Sequence, residues 1–282
     1  MGPVALAASS ARAIFGSAGA RPFSADSPRG SSGGPRAPSA PLYPTHVRLG
    51  PAQKTAVAVL SALGALYRPQ RADLVAAVGE TWGEGAVARM RDRMRADATG
   101  RQILAERPRV TDASVARCWE MPPGTFGAAY AGFMGDRSFH ADDRPPVRFV
   151  DDEELAYVVA RAREVHDFWH VLTGCHTNVF GEIALKALEF VQTGLPMAGM
   201  AVAGAQLRLS PEDRQLLWQV YLPWAARTGL RCADLMCIYY ERHFDEDLEE
   251  LRHRWRVAPA PPPPIRLGPK AAAARGGGAD NA

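Results

Sequence analysis

The sequence predicts an all-α protein, a single helical domain with disordered N- and C-terminal tails. Three observations carry that expectation. Apolar residues recur at helical spacing through the middle of the chain, interrupted by turn-forming runs such as "YRPQ", "ADATG", "ERPRV", "EMPPGTFG" and "DDRPPVRFVDD". Helix start and stop residues flank several of these segments. No internal repeat and no convincing run of alternating strand residues is found. With 282 residues, 47% of them hydrophobic and 22% charged, the chain can bury a sizeable core.

The ends read differently from the middle. Residues 1–40 are rich in Ala, Ser and Arg and carry Arg12, Arg21, Arg29 and Arg36 against the single acid Asp26. That imbalance accounts for the whole formal charge of +3, so the domain itself offers no basic argument for nucleic acid. The composition is that of an organellar transit peptide, with Arg21-Pro22-Phe23-Ser24 as a processing point. Residues 258–282 form a Pro/Ala/Gly-rich tail that cannot build a core. The helical domain is therefore expected over residues 41–257. Cys118, Cys175, Cys232 and Cys237 are too few and too scattered for a disulfide scaffold, and a reducing compartment fits. No window reaches the roughly 18 consecutive apolar residues of a membrane span, and "TAVAVLSALGALY" (55–67) has the length of a buried core helix. Membrane association is accordingly expected to be peripheral.

Three helices are well signposted. One starts at Asp151 or Asp152, with Glu153 and Glu154 in its first turn, and stops near Gly174. The next follows Asn178 and stops at Gly194 and Pro196. A third opens at Ser210 with Pro211 at its first position, and Pro223 is expected to kink it. "ADLMCIYYERHFDEDLEELRHRW" (233–255) reads as a further amphipathic helix. Between the second and third lies "GLPMAGMAVAGAQLRL", either a tightly packed helix with small contact residues or a groove for a long apolar ligand.

The chemistry concentrates in "REVHDFWHVLTGCHTNVFGEIALK" (163–186). Leu155, Val158, Val159, Ala162, Val165 and Trp169 mark the buried stripe of the first helix. At about 100° per residue, His166 lies about 20° from Leu155, His170 about 40° further, and Asp167 about 100° from His166. Two imidazoles and a carboxylate on one partly buried arc are costly unless satisfied, and a divalent cation satisfies them. Glu182 on the next helix can close the set. The spacing alone leaves open a plainer reading, in which the histidines are satisfied core residues and Glu182, Lys186 and Glu189 form a water-facing stripe. Glu164 reads as a solvated charge, and His176 as an additional ligand of weak standing. His46, His140, His243 and His253 have no comparable company.

Over a longer span the sequence resembles a known family. "RFVDDEELAYVVARAREVHDFWHVLTGCHTNVFGEIALKALEFVQTGLPM" looks like the signature region of the ubiquinone (coenzyme Q) biosynthesis family that comprises the fourth of the mitochondrial Coq proteins. Similarity continues through "YPTHVRLGPAQK", "GETWG", "ILAERPRV", "LPWA" and "YYERHFDEDLEELR", covering roughly residues 42–257. The resemblance implies a metal site at His166, Asp167, His170 and Glu182, with Zn2+ assigned and Fe2+ compatible as an alternative. It implies a lyase removing the ring carboxylate of 4-hydroxy-3-methoxy-5-polyprenylbenzoate to leave a 2-methoxy-6-polyprenylphenol, with Glu182 or Asp167 as the catalytic proton donor. It also implies an organiser of the coenzyme Q enzyme complex, lying peripherally on the matrix side of the mitochondrial inner membrane. Self-association as a homo-oligomer stays open, as does a non-catalytic lipid-binding scaffold with a structural metal. A zinc hydrolase is disfavoured because Asp167 stands where zinc peptidases carry Glu. Arg144, Arg148 and Arg242 are candidates for an anionic head group, or else surface or capping residues. "GCHTN" departs from the family's "MPTN"-like loop at Cys175 and His176, which bears on loop shape and on alternative coordination.

Overall fold

The computed structural model describes residues 40–67 and 71–262. The leader and most of the tail expected from the sequence lie outside the described residues. Among the described residues, twelve α-helices run in the order α1 (Pro51–Tyr67), α2 (Ala72–Trp82), α3 (Glu84–Ala96), α4 (Ala98–Glu106), α5 (Asp112–Val115), α6 (Phe126–Gly135), α7 (Glu153–Thr173), α8 (Val179–Thr193), α9 (Pro196–Ala205), α10 (Pro211–Leu216), α11 (Leu222–Arg231) and α12 (Leu248–Trp255). Short 3-10 turns join several of them. No strand forms among the described residues beyond one isolated bridge between Thr125 and Asp247.

The central element is α7. Asp152 caps its N-terminus by accepting from the Leu155 N–H at 2.8 Å, and Gly174 closes it in the left-handed conformation at φ 68°. Trp169, Phe168 and Leu172 are wholly buried and pack among Phe126, Tyr130, Tyr240 and Phe244. The Trp169 indole donates to the Tyr240 hydroxyl at 3.0 Å, which donates to the Leu235 carbonyl at 2.9 Å. The loop Gly174–Asn178 then turns the chain into α8, whose first turn is capped by Asn178 accepting from Gly181 N–H at 2.8 Å. Ahead of α7, Glu80 of α2 holds the incoming segment. It accepts from the Arg148 and Phe149 N–H groups at 2.8 Å each and from Arg163 at 2.7 Å.

Several elements differ from the sequence expectation. The helix anticipated over 233–255 is α-helical only from Leu248, with 3-10 turns at Leu235–Cys237 and Tyr240–Arg242. The physical reason lies in its carbonyls: Phe244 and Glu246 accept from the Gly127 and Phe126 N–H groups at 2.7 and 2.8 Å, and Leu235 accepts from Tyr240, so an unbroken ladder cannot form. The Pro223 kink takes the form of a π-helical turn, Leu217–Tyr221, immediately before α11. Helix α1 is no core helix, since it lies on α2 with Leu60 68% and Tyr67 87% exposed. Glu164 is buried rather than solvated; Arg109 donates to it at 2.6 Å and the Val110 N–H at 3.1 Å.

Gly181 sits so close to the α7–α8 loop that an added Cβ would lie 2.1 Å from the His176 carbonyl oxygen. Gly181→Ala is expected to cost about 1–3 kcal/mol through forced backbone displacement. Thermal unfolding of the variant checks this, and an unchanged melting temperature would contradict the close approach.

Candidate metal centre

Helix periodicity places His166 and His170 one turn apart on α7, and the Gly174–Asn178 loop brings the first turn of α8 opposite them. The His170 Nε2 lies 3.2 Å from Glu182 Oε1 and the His166 Nε2 lies 3.8 Å from Glu182 Oε2. One donor atom from each of these three residues lies within 4.8 Å of the others. Donors held about 2.0–2.1 Å from a tetrahedral ion stand roughly 3.3–3.4 Å apart, so side-chain adjustments within the 4.8 Å triangle would close the three donors on an ion. Two imidazoles and one carboxylate suit zinc with an open position, and equally the facial set of ferrous iron.

Each imidazole turns its other nitrogen toward an oxygen acceptor. His170 Nδ1 is 2.9 Å from the Cys175 carbonyl, which accepts the Nδ1–H hydrogen bond and leaves the Nε2 lone pair free for an ion. His170 is almost fully buried and stacks on Phe133 of α6, with ring centroids 5.2 Å apart. His166 Nδ1 is buried without an aligned hydrogen bond, and Glu189 Oε2 stands 3.0 Å from it. The Glu189 carboxylate is in turn 2.6 Å from Lys186 Nζ. The stripe Glu182, Lys186, Glu189, open to a water-facing reading from sequence, therefore faces α7, with Glu189 buried.

Asp167 points elsewhere. Its carboxylate accepts from Arg144 at 2.5 Å, and Arg144 also donates to the Ala141 and Val110 carbonyls. Asp167 is thus adjacent in sequence to His166 but not among the three converging donors. Of the other arginines singled out from sequence, Arg242 pairs with Glu106 and Gln102, and the Arg148 guanidinium lies over the Phe149 ring.

Charges in the centre hold one another. Burial alone would raise the Glu182 pKa, but His166 and His170 hold it well below the usual carboxylate range. Burial would likewise raise Glu189, yet Lys186 and His166 bring it down to about 2. His166 experiences burial and the Lys186 charge as downward pulls, and Glu182 and Glu189 outweigh them, lifting it to about 9.

On the far side of α8 lies an apolar cleft of about 290 Å³, lined by Phe190, Gly199, Val202, Trp218, Leu222 and Ala225. The segment "GLPMAGMAVAGAQLRL" packs closely, since an added Cβ would lie 2.5 Å from Met197 at Gly79 and 3.1 Å from Phe190 at Gly199, and Gly199 and Val202 also line the cleft. The cleft residues Ala187, Phe190 and Val191 sit roughly 80–180° around α8 from Glu182, at about 100° per residue. The cleft and the donor triangle therefore occupy different faces of one helix.

With fold and site in place, comparison with known proteins is decisive. The family described as "Coenzyme Q (ubiquinone) biosynthesis protein Coq4" matches residues 43–261. The chain belongs to the Coq4 family. A relative named mitochondrial ubiquinone biosynthesis protein COQ4, from Uncinocarpus reesii, is 43% identical over 225 residues, covering 79% of this chain and 81% of the relative. Its counterpart in Aspergillus terreus is 44% identical over 224 residues, covering 78% of each. A crystal structure of a protein from Nostoc punctiforme, provisionally assigned to ubiquinone biosynthesis, shares the fold with a TM-score of 0.58. That protein is 22% identical, over 71% of this chain and 97% of its own. Within this Coq4 chain the departure at Cys175 and His176 leaves the donor triangle in place. Cys175 contributes its backbone carbonyl, which any residue can offer, and burial pushes its thiol up to about 11, so it is not a ready thiolate. His176 is exposed and lies outside the triangle.

The charge network sets a pH dependence for metal-free protein. The raised His166 pKa, about 9 against an ordinary 6.5, contributes stability that is full below pH 6.5 and lost as pH rises through 9. Glu189, lowered from 4.5 to about 2, contributes above pH 4.5 and ceases to do so as pH falls through 2. Chelated protein is expected to lose thermal stability between pH 6.5 and 9, and His166→Gln to lack that slope. Identical slopes in the two proteins would contradict the assignment.

Proposed function

We propose that this chain is a metal-dependent carbon–carbon lyase of ubiquinone biosynthesis. Its substrate is a 4-hydroxy-3-methoxy-5-polyprenylbenzoate, its product the 2-methoxy-6-polyprenylphenol, and it works within an assembly of coenzyme Q enzymes on the matrix face of the mitochondrial inner membrane. The observation that carries the reading is the convergence of His166, His170 and Glu182 in a chain of the Coq4 family. The mitochondrial names of its relatives support the location, and no described helix is long and apolar enough to cross a membrane. Trp218, which lines the apolar cleft and is 56% exposed, suits contact with a bilayer from which so insoluble a substrate must come.

His166, His170 and Glu182 would hold the ion. When bound, a divalent cation supplies Lewis acidity toward the ring carboxylate or an adjacent ring oxygen, and iron, unlike zinc, adds redox capacity. Loss of carbon dioxide leaves the bonding pair on the ring carbon, which must take up one proton. The para hydroxyl assists by pushing electron density toward that carbon. Glu182 is held as the anion, the form that ligates and has no proton to give. Proton delivery to the ring carbon is assigned to Asp167, whose carboxylate would first have to leave Arg144, take up a proton from water and turn toward the donor triangle.

A second reading has an observation of its own: the apolar cleft opens on a different face of α8 from the donors. A protein that holds lipid there and uses the ion as a staple between α7 and α8 would be a scaffold. Turnover of a prenylated 4-hydroxybenzoate by metal-defined protein, with and without oxygen, separates the two by product mass. Carbon dioxide release without oxygen is the expected result. A hydroxylated product formed only in air would replace the non-oxidative course by an oxidative one, and lipid binding without turnover would establish the scaffold.

A further inference from the structure

A histidine that ligates through one nitrogen needs an acceptor on the other to fix its tautomer and aim its ring. For His170 that acceptor is the Cys175 carbonyl, 2.9 Å from Nδ1. For His166 the Nδ1 is buried, has no aligned hydrogen bond, and lies 3.0 Å from Glu189 Oε2. Glu189 is seven residues after Glu182, about 20° from it around α8 at about 100° per residue, and two turns along. One face of α8 thus presents two carboxylates to the two nitrogens of a single imidazole, Glu182 to Nε2 and Glu189 to Nδ1. Lys186, between them in sequence, holds Glu189 from the side at 2.6 Å. The acid nearest in sequence, Asp167, is taken by Arg144 and does not serve His166.

We infer that Glu189, which lies outside the His-Asp-x-x-His…Glu pattern, is the positioning residue of the metal centre, accepting the His166 Nδ1–H and fixing the tautomer whose Nε2 faces the ion. This rests on the metal-centre reading above. Glu189 touches neither ion nor substrate in this role; it acts through His166.

The test uses the full chain and the metal alone. Glu189→Gln, of nearly the same shape, is expected to weaken Zn2+ and Co2+ binding about 10–100-fold, the usual effect of losing a carboxylate that supports a metal-bound histidine. Stoichiometry and the Co2+ absorption spectrum stay as in the unaltered protein, because the ligand set is the same, and Glu189→Asp recovers part of the affinity. Equal affinity in Glu189→Gln and the unaltered protein overturns the inference while leaving the centre intact. A changed Co2+ spectrum also overturns it, since Glu189 would then be a ligand. Failure of the unaltered protein to bind either ion overturns the underlying reading instead. A second measurement needs no variant: NMR of protein with isotope-labelled histidine, loaded with an NMR-active cadmium isotope, is expected to show metal coupling to Nε2 of both His166 and His170. Coupling to His166 Nδ1 overturns the inference even if Glu189→Gln fails to fold.

Discussion

The site depends on the short turn between α7 and α8. The left-handed Gly174 ends α7, the Cys175 carbonyl reaches back to His170, and Gly181 lets the start of α8 lie against the His176 carbonyl. Together these three features put a carboxylate from the first turn of α8 opposite two imidazoles from the last two turns of α7. A longer or looser loop would leave buried His170 and half-buried His166 and Glu182 without partners, a costly arrangement. The turn therefore sets both the stability of this corner and its capacity to hold a cation.

Around the turn the fold resists rearrangement. Helix α7 carries charged groups inward and pairs each with a different element. Arg161 pairs with Glu241, Glu164 with Arg109 and the Val110 N–H, and Arg163 with Glu80. Such pairs cost desolvation energy and repay it through geometry, so they specify one placement of α7 more than they stabilise the protein overall. The aromatic cluster of Phe126, Tyr130, Phe168, Tyr240 and Phe244 supplies apolar burial beside these pairs, with the Arg161 guanidinium 6.0 Å from the Tyr240 ring. Asp167 belongs to the same pattern, since Arg144 ties α7 to the segment before it.

Much of this was legible in the sequence because it is local. Asp152, Asn178 and Ser210 announce helix starts through side-chain acceptors, and the structure uses all three as caps. The i, i+4 spacing of His166 and His170 follows from helix geometry alone. What was not legible depends on partners distant in the chain. Glu164 and Glu189 resemble surface charges until tertiary packing buries them against Arg109 and His166. The segment 233–255 has helical periodicity, yet its carbonyls are claimed by the start of α6, more than a hundred residues earlier. On a helical wheel Asp167 shares an arc with the histidines, and only the position of Arg144 shows that it turns away. The cue for Glu189 was present, a seven-residue interval from Glu182 on one helix face, but the same interval describes a solvated stripe equally well.

The central claim is that two imidazoles and one carboxylate, from two consecutive helices, hold one divalent ion. X-ray absorption spectroscopy of the purified protein, loaded with zinc and then with ferrous iron, tests it most directly. The account predicts one ion per chain, with a nearest shell of nitrogen and oxygen that includes the outer scattering of two imidazoles. Folded protein that retains no ion, or an ion bound through sulfur, would contradict it.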